Sequence, residues 1–101
     1  IVMACVSPKA YEAVANDLKK IDIPYGFKLN AFNKIPIGYT VASKDSWGNA
    51  GNPNTVLGKN RELNETKFYE YVKSFMENGA TILGGCCEIG PSHIKEISKI
   101  K

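Results

Sequence analysis

Three times along this 101-residue chain a short apolar run is followed by a helix-forming segment, and that succession constrains the fold more than any other feature. IVMACV, residues 1 to 6, is nearly all apolar and reads as a strand buried on both faces. Ser7 and Pro8 then supply an N-cap and a first-turn proline, where the missing N–H does no harm. The helix that follows carries Tyr11, Val14, Leu18 and Ile21 at spacings of three and four, and Asp22 and Pro24 end it. A second strand is expected from Tyr25 to Phe32. Residues 33 to 63, rich in Asn and Gly, show no sustained period beyond a possible short strand at Gly38 to Ala42 and read as a functional or covering loop. Asn64 caps a strong helix with Phe68, Tyr71, Val72, Phe75 and Met76 on one face, and Gly79 ends it. Ala80 to Leu83 is the third strand. Pro91 opens a last helix bearing Ile94, Ile97 and Ile100.

The order is therefore βα-βα-βα in a single domain, with helices long enough for parallel crossovers. Three such units leave both sheet edges open. A doubly wound sheet and an incomplete (β/α)8 barrel both fit. The abrupt start on a strand-like run, with no lead-in, reads as a piece of a longer polypeptide. The charge of +3 comes from scattered lysines, with no basic run longer than Lys19-Lys20, so no nucleic-acid partner is expected. No apolar stretch approaches the roughly 18 residues that span a bilayer, and no membrane partner is expected either. Three cysteines are too few, and odd in number, for a secreted disulfide framework. Reduced thiols in the cytoplasm are the simpler reading.

Those cysteines carry the chemistry. In parallel α/β architectures functional groups collect where strands end and helices begin. Cys5 lies at the end of the first strand and the Cys86-Cys87 pair at the end of the third, so all three fall at the same end of the sheet. Adjacent residues of a regular strand point to opposite faces. Gly84 and Gly85 are expected to supply the unusual backbone angles that turn both sulfurs one way. Three converging thiolates suit a borderline-soft cation, zinc first, with the fourth tetrahedral position left for water or substrate. Three thiolates on one dication leave a net negative centre. That is a poor electrophile toward carbonyls but suited to holding an incoming thiol as a nucleophilic thiolate. Phosphate binding by the glycine-rich turn before the last helix, a purely structural zinc, and a redox role for the vicinal pair stay open at this point.

The segment GATILGGCCEIGPSHIKEI resembles the C-terminal signature of the zinc-dependent homocysteine S-methyltransferases, a Gly-Gly-Cys-Cys strand end before a Pro-x-His-Ile helix start. IVMACVSP is similar to that family's earlier strand, which ends in the first zinc-binding cysteine. Asn30, in KLNAF, resembles the asparagine on the strand between them. The resemblance implies that residues 1–101 are the C-terminal three βα units of a (β/α)8 TIM barrel, incomplete without the rest of the barrel chain. It implies Cys5, Cys86 and Cys87 as zinc ligands and Asn30 as a substrate-binding residue, with no catalytic residue beyond the ligands. The implied activity is transfer of a methyl group to the thiolate of homocysteine, giving methionine. The small-molecule partners are then that thiol and a sulfonium, ammonium or folate methyl donor. Ala4, Glu88 and the Ala-Phe that follows Asn30 depart from the family's pattern and bear on which thiol is accepted.

Three further residues invite a role. His93, the only histidine, is expected to make a structural hydrogen bond to a nearby loop rather than to bind metal. Lys28 shares strand parity with Asn30 and would need a carboxylate partner if buried, Glu88 being one. Trp47 reads as an aromatic anchor for the long loop.

Overall fold

The computed structural model describes residues 1–33 and 57–100. The possible strand at residues 38–42 and Trp47 lie outside the described residues. The elements are β1 (Val2–Val6), α1 (Pro8–Leu18), β2 (Gly26–Leu29), α2 (Glu65–Glu77), β3 (Ile82–Gly85) and α3 (Pro91–Ile97). The strands form one parallel sheet in the order β1-β2-β3. Strand order thus follows chain order, as it does between successive units of a barrel, and the arrangement is consistent with part of one.

Local chemistry explains the element ends. Ser7 is extended and its Oγ accepts a hydrogen bond from the Ala10 N–H at 3.2 Å, with Pro8 in the first turn. Asn64 Oδ1 accepts from the Lys67 N–H at 2.9 Å and starts α2 in the same manner. Gly79, at φ +114°, ends it. β2 is shorter than the expected run from Tyr25 to Phe32, yet its chain stays extended past Leu29. The Asn30 N–H donates to the Val6 carbonyl at 2.9 Å and the Ala31 N–H to the Cys87 carbonyl at 2.9 Å. β3 begins and ends two residues later than expected, so the glycine pair belongs to the strand.

One core lies between the sheet and the helices. Phe27 and Leu29 of β2 are fully buried against Tyr11 and Ala15 of α1 and Phe68, Val72 and Phe75 of α2, with Ile97 and Ile100 packed at the margin. Tyr11, Phe27 and Phe75 form an aromatic cluster, with ring centroids 4.8, 4.6 and 5.5 Å apart in edge-on or tilted contacts. On α1 the buried stripe runs through Tyr11 and Ala15, while Val14, Leu18 and Ile21 sit at its edge. The other sheet face is open: Val2, Ala4, Lys28 and Ile82 are exposed. β1 is therefore not covered on both sides by the described residues, contrary to the reading of its apolar run.

The Tyr11 hydroxyl is buried without a hydrogen-bond partner among the described residues, and burial, helped by nearby Tyr25, pushes its pKa up. An unsatisfied buried hydroxyl costs about 1–3 kcal/mol, whereas the ring contributes packing. Tyr11→Phe is accordingly expected to raise stability by about 1 kcal/mol. A higher urea midpoint at unchanged slope would show it; a lower midpoint would reveal a partner for the hydroxyl.

Candidate metal centre

The three cysteines converge at the C-terminal ends of the outer strands. β1 pairs with β2 in register through Ala4 opposite Lys28, but Val6 lies opposite Leu29, so Cys5 is an extra residue in a β-bulge. Its φ is +50°, a left-handed conformation that costs a non-glycine residue roughly 1–3 kcal/mol. The bulge breaks the side-chain alternation and swings Cys5 Sγ toward β3. Nothing in the uninterrupted VMACV pattern announces it.

At the other strand the Cys86 N–H donates to the Leu29 carbonyl at 2.7 Å, which continues the ladder beyond β3. A turn follows, closed by the Ile89 N–H on the Cys86 carbonyl at 3.1 Å, with Glu88 at φ +63° in its third position. That turn presents both sulfurs on one side. The left-handed residues are thus Cys5 and Glu88, and neither Gly84 nor Gly85 has a positive φ. The expected role of the glycines is corrected accordingly. Gly85 matters for space: a Cβ there would lie 2.8 Å from Ile89 Cβ, which folds back over the strand end.

Cys5 Sγ lies 3.7 Å from Cys87 Sγ, and Cys86 Sγ lies 3.8 Å from Cys87 Sγ. All three sulfurs fall within 4.8 Å of one another, and each cysteine is half-buried and free. A tetrahedral zinc with Zn–S bonds of about 2.3 Å would place its sulfurs about 3.8 Å apart, which the two edges meeting at Cys87 match. Among the described residues the group has three members.

Crowding splits the thiols electrostatically. Burial, together with hydrogen bonding to Cys5 and Cys86 that favours the protonated form and with the charges of both, pushes the Cys87 thiol up to about 12. Burial also opposes ionisation of Cys86, but hydrogen bonds from Cys5 and Cys87, with the Lys28 charge, outweigh it and hold that thiol below its ordinary value. Like charges this close cannot all form without a compensating cation. A divalent ion would supply one.

Asn30 is 1% exposed and lies beside Cys5. Its Nδ2 donates to the Cys5 carbonyl at 2.7 Å and stands 3.8 Å from Cys5 Sγ, while its Oδ1 accepts from the Phe32 N–H at 3.2 Å. A cavity of about 700 Å³ opens here, lined by Cys5, Ser7, Asn30, Phe32 and Tyr71 among others. Lys28 shares the open sheet face, is exposed, and forms no ion pair with Glu88 among the described residues.

His93 is buried and is not part of the three-sulfur group. Its Nδ1 accepts from the Gly90 N–H at 3.2 Å, which leaves Nε2 to donate to the Leu63 carbonyl at 3.2 Å, and its ring meets Phe68 edge-on at 5.5 Å. These contacts roll α3 so that His93 faces inward and Ile94 is exposed, contrary to the isoleucine stripe read from sequence. Ser92 Oγ donates to Glu65 Oε1 at 2.8 Å and holds that carboxyl below its usual range. The two contacts pin the start of α3 to the start of α2 and so fix the turn that bears Cys86 and Cys87.

The model of the homocysteine S-methyltransferase family matches residues 1–100. The chain belongs to that family. The selenocysteine methyltransferase of Astragalus bisulcatus is 40% identical over 43 residues, which cover 43% of this chain and 13% of that protein. The match therefore spans a small part of the relative's length. No solved structure matches. No helix among the described residues is long and apolar enough to cross a membrane.

Proposed function

We propose that Cys5, Cys86 and Cys87 hold one zinc ion and that the protein transfers a methyl group to the thiolate of homocysteine, giving methionine, in the cytoplasm. The observation that carries this is the sulfur spacing of 3.7 and 3.8 Å, which matches the edge of a zinc tetrahedron. Three donors rather than four among the described residues leave one position for the acceptor's sulfur. Bound there, zinc would keep that thiol ionised at neutral pH, where a free thiol of pKa about 8.5 is mostly protonated. A lone pair of the acceptor sulfur then forms the S–CH3 bond while the donor's bond to that methyl carbon breaks. The donor leaves with the bonding electron pair, and the thiol proton goes to solvent. The chain's own part is to fix the three sulfurs and to bound the acceptor beside Cys5 and Asn30, which both line the cavity there.

Family membership and the relative's name support a sulfur or selenium acceptor. On the same reading, residues 1–101 are the C-terminal three βα units of a (β/α)8 barrel. The exposed apolar Val2 and Ile82 on the open sheet face support this, because barrel strands bury that face against the remaining strands.

Homocysteine added to the zinc-loaded protein is expected to release about one proton per site at neutral pH. It should also add a sulfur neighbour in the zinc X-ray absorption spectrum. A thiol lacking the amino and carboxylate groups should bind more weakly. If homocysteine changes neither the proton count nor the spectrum, the site is structural. A full response to selenocysteine instead keeps the mechanism and changes the acceptor.

A further inference from the structure

We propose that Asn30 is a positioning residue that holds Cys5 in its left-handed bulge and so sets where the first sulfur stands relative to the Cys86-Cys87 pair. The inference rests on the three-cysteine reading above and adds to it what the central strand does.

The bulge leaves Cys5 with no partner residue in the β1–β2 register, between Ala4 opposite Lys28 and Val6 opposite Leu29. Its carbonyl would then have no ladder donor. Asn30 Nδ2 supplies one at 2.7 Å, the shortest contact that side chain makes, and the same nitrogen stands 3.8 Å from Cys5 Sγ. The amide orientation is fixed by its partners: a carbonyl needs the NH2 end, and the Phe32 N–H, 3.2 Å away, needs the oxygen end. Burial to 1% exposure shuts out water as a substitute donor. The backbone of the same segment reaches both flanks. Asn30 N–H bonds Val6, the residue after Cys5, and Ala31 N–H bonds Cys87 itself. The strand end at residues 29–31 therefore references one sulfur to the other two, and the Asn30 side chain is the only part of it that touches Cys5 among the described hydrogen bonds. An asparagine committed at both ends contributes to the site through Cys5.

The test compares Asn30→Ala and the near-isosteric Asn30→Asp with the wild-type full protein. Asn30→Asp can still accept from Phe32 but loses the donor to Cys5, which separates the two bonds and guards against an Ala variant that fails to fold. Zinc affinity, by chelator competition, is expected to fall about 10–100-fold in both variants, as for other residues that orient metal ligands. The zinc X-ray absorption spectrum should show two sulfur neighbours instead of three. In metal-free protein treated with diamide, the disulfide between Cys5 and Cys87 should form readily in wild type and much more slowly in the variants. Wild-type affinity with three sulfurs in both variants would overturn the proposal. So would three retained sulfurs with a lost oxygen or nitrogen neighbour, since Asn30 would then contact the metal directly. A wild-type protein that binds no zinc but still links Cys5 to Cys87, with the link slowed in the variants, would sink the zinc reading and leave the positioning role standing.

Discussion

Replacing any one of Cys5, Cys86 or Cys87 with serine is expected to strip zinc from the protein and abolish methyl transfer, with the three variants nearly equivalent. Each sulfur sits within 4.8 Å of both others, so no single one is peripheral. A serine hydroxyl is a harder donor that stays protonated at neutral pH, and two thiolates alone leave the ion's coordination half filled by water. Loss of about one zinc equivalent and an activity fall of at least about 100-fold are the expected readings, at the upper end of what even indirect ligand disturbance produces. The fold should persist, because all three cysteines are only half-buried and lie outside the aromatic core. His93→Ala provides the contrast. It removes a buried ring with two hydrogen bonds and a contact to Phe68, so it should cost stability while retaining the metal. Full zinc retention in Cys5→Ser would show that the adjacent pair acts alone and that the convergence from β1 has no role.

How far this site could be read from sequence depends on which interactions are local. Ser7, Pro8, Asn64 and Gly79 each act within one turn of their own helix, and the structure places each in its expected role. The meeting of the three cysteines followed from topology: parallel strands bring their C-terminal ends together whatever the intervening chain does. The bulge at Cys5 was hidden because its cause is not local. It is held by an amide from another strand, and an apolar pentapeptide carries no mark of that partner. The exchange of roles between the glycines and Glu88 has a similar origin. Composition names glycine as the residue able to take a positive φ, but here the tight approach of Ile89 claims Gly85, and the turn places the strain on Glu88. The inward roll of α3 turns on a hydrogen bond between His93 and the distant Leu63 carbonyl, which outweighs burial of Ile94.

Gly26→Ala is expected to be the most damaging small substitution in the sheet and to damage the metal centre with it. Gly26 is buried on the central strand, opposite Val2 on one side and Ile82 on the other. A methyl group there would run into the Ile82 carbonyl and stand 2.6 Å from Ile82 Cβ. The obstruction is backbone, so no side-chain rotation relieves it, and β3 must move away from β2. Overpacking of this kind costs about 1–3 kcal/mol and occasionally more, and the loss of adjoining ladder bonds puts this site at about 3 kcal/mol. Because β3 leads directly into Cys86 and Cys87, the displacement should also lower zinc affinity, although Gly26 lies at the opposite end of the strand from the sulfurs. Gly84→Ala separates this effect from a general intolerance of side chains. Its added methyl would meet the Phe27 carbonyl at 3.7 Å and Lys28 Cγ at 3.8 Å, ordinary contacts, so its urea midpoint should stay close to wild type. Excess zinc should recover part of the Gly26→Ala loss, since an ion that binds only the folded state stabilises it by mass action. Should Gly26→Ala keep both a wild-type midpoint and three zinc–sulfur neighbours, the β2–β3 pairing would not be what fixes the cysteine pair.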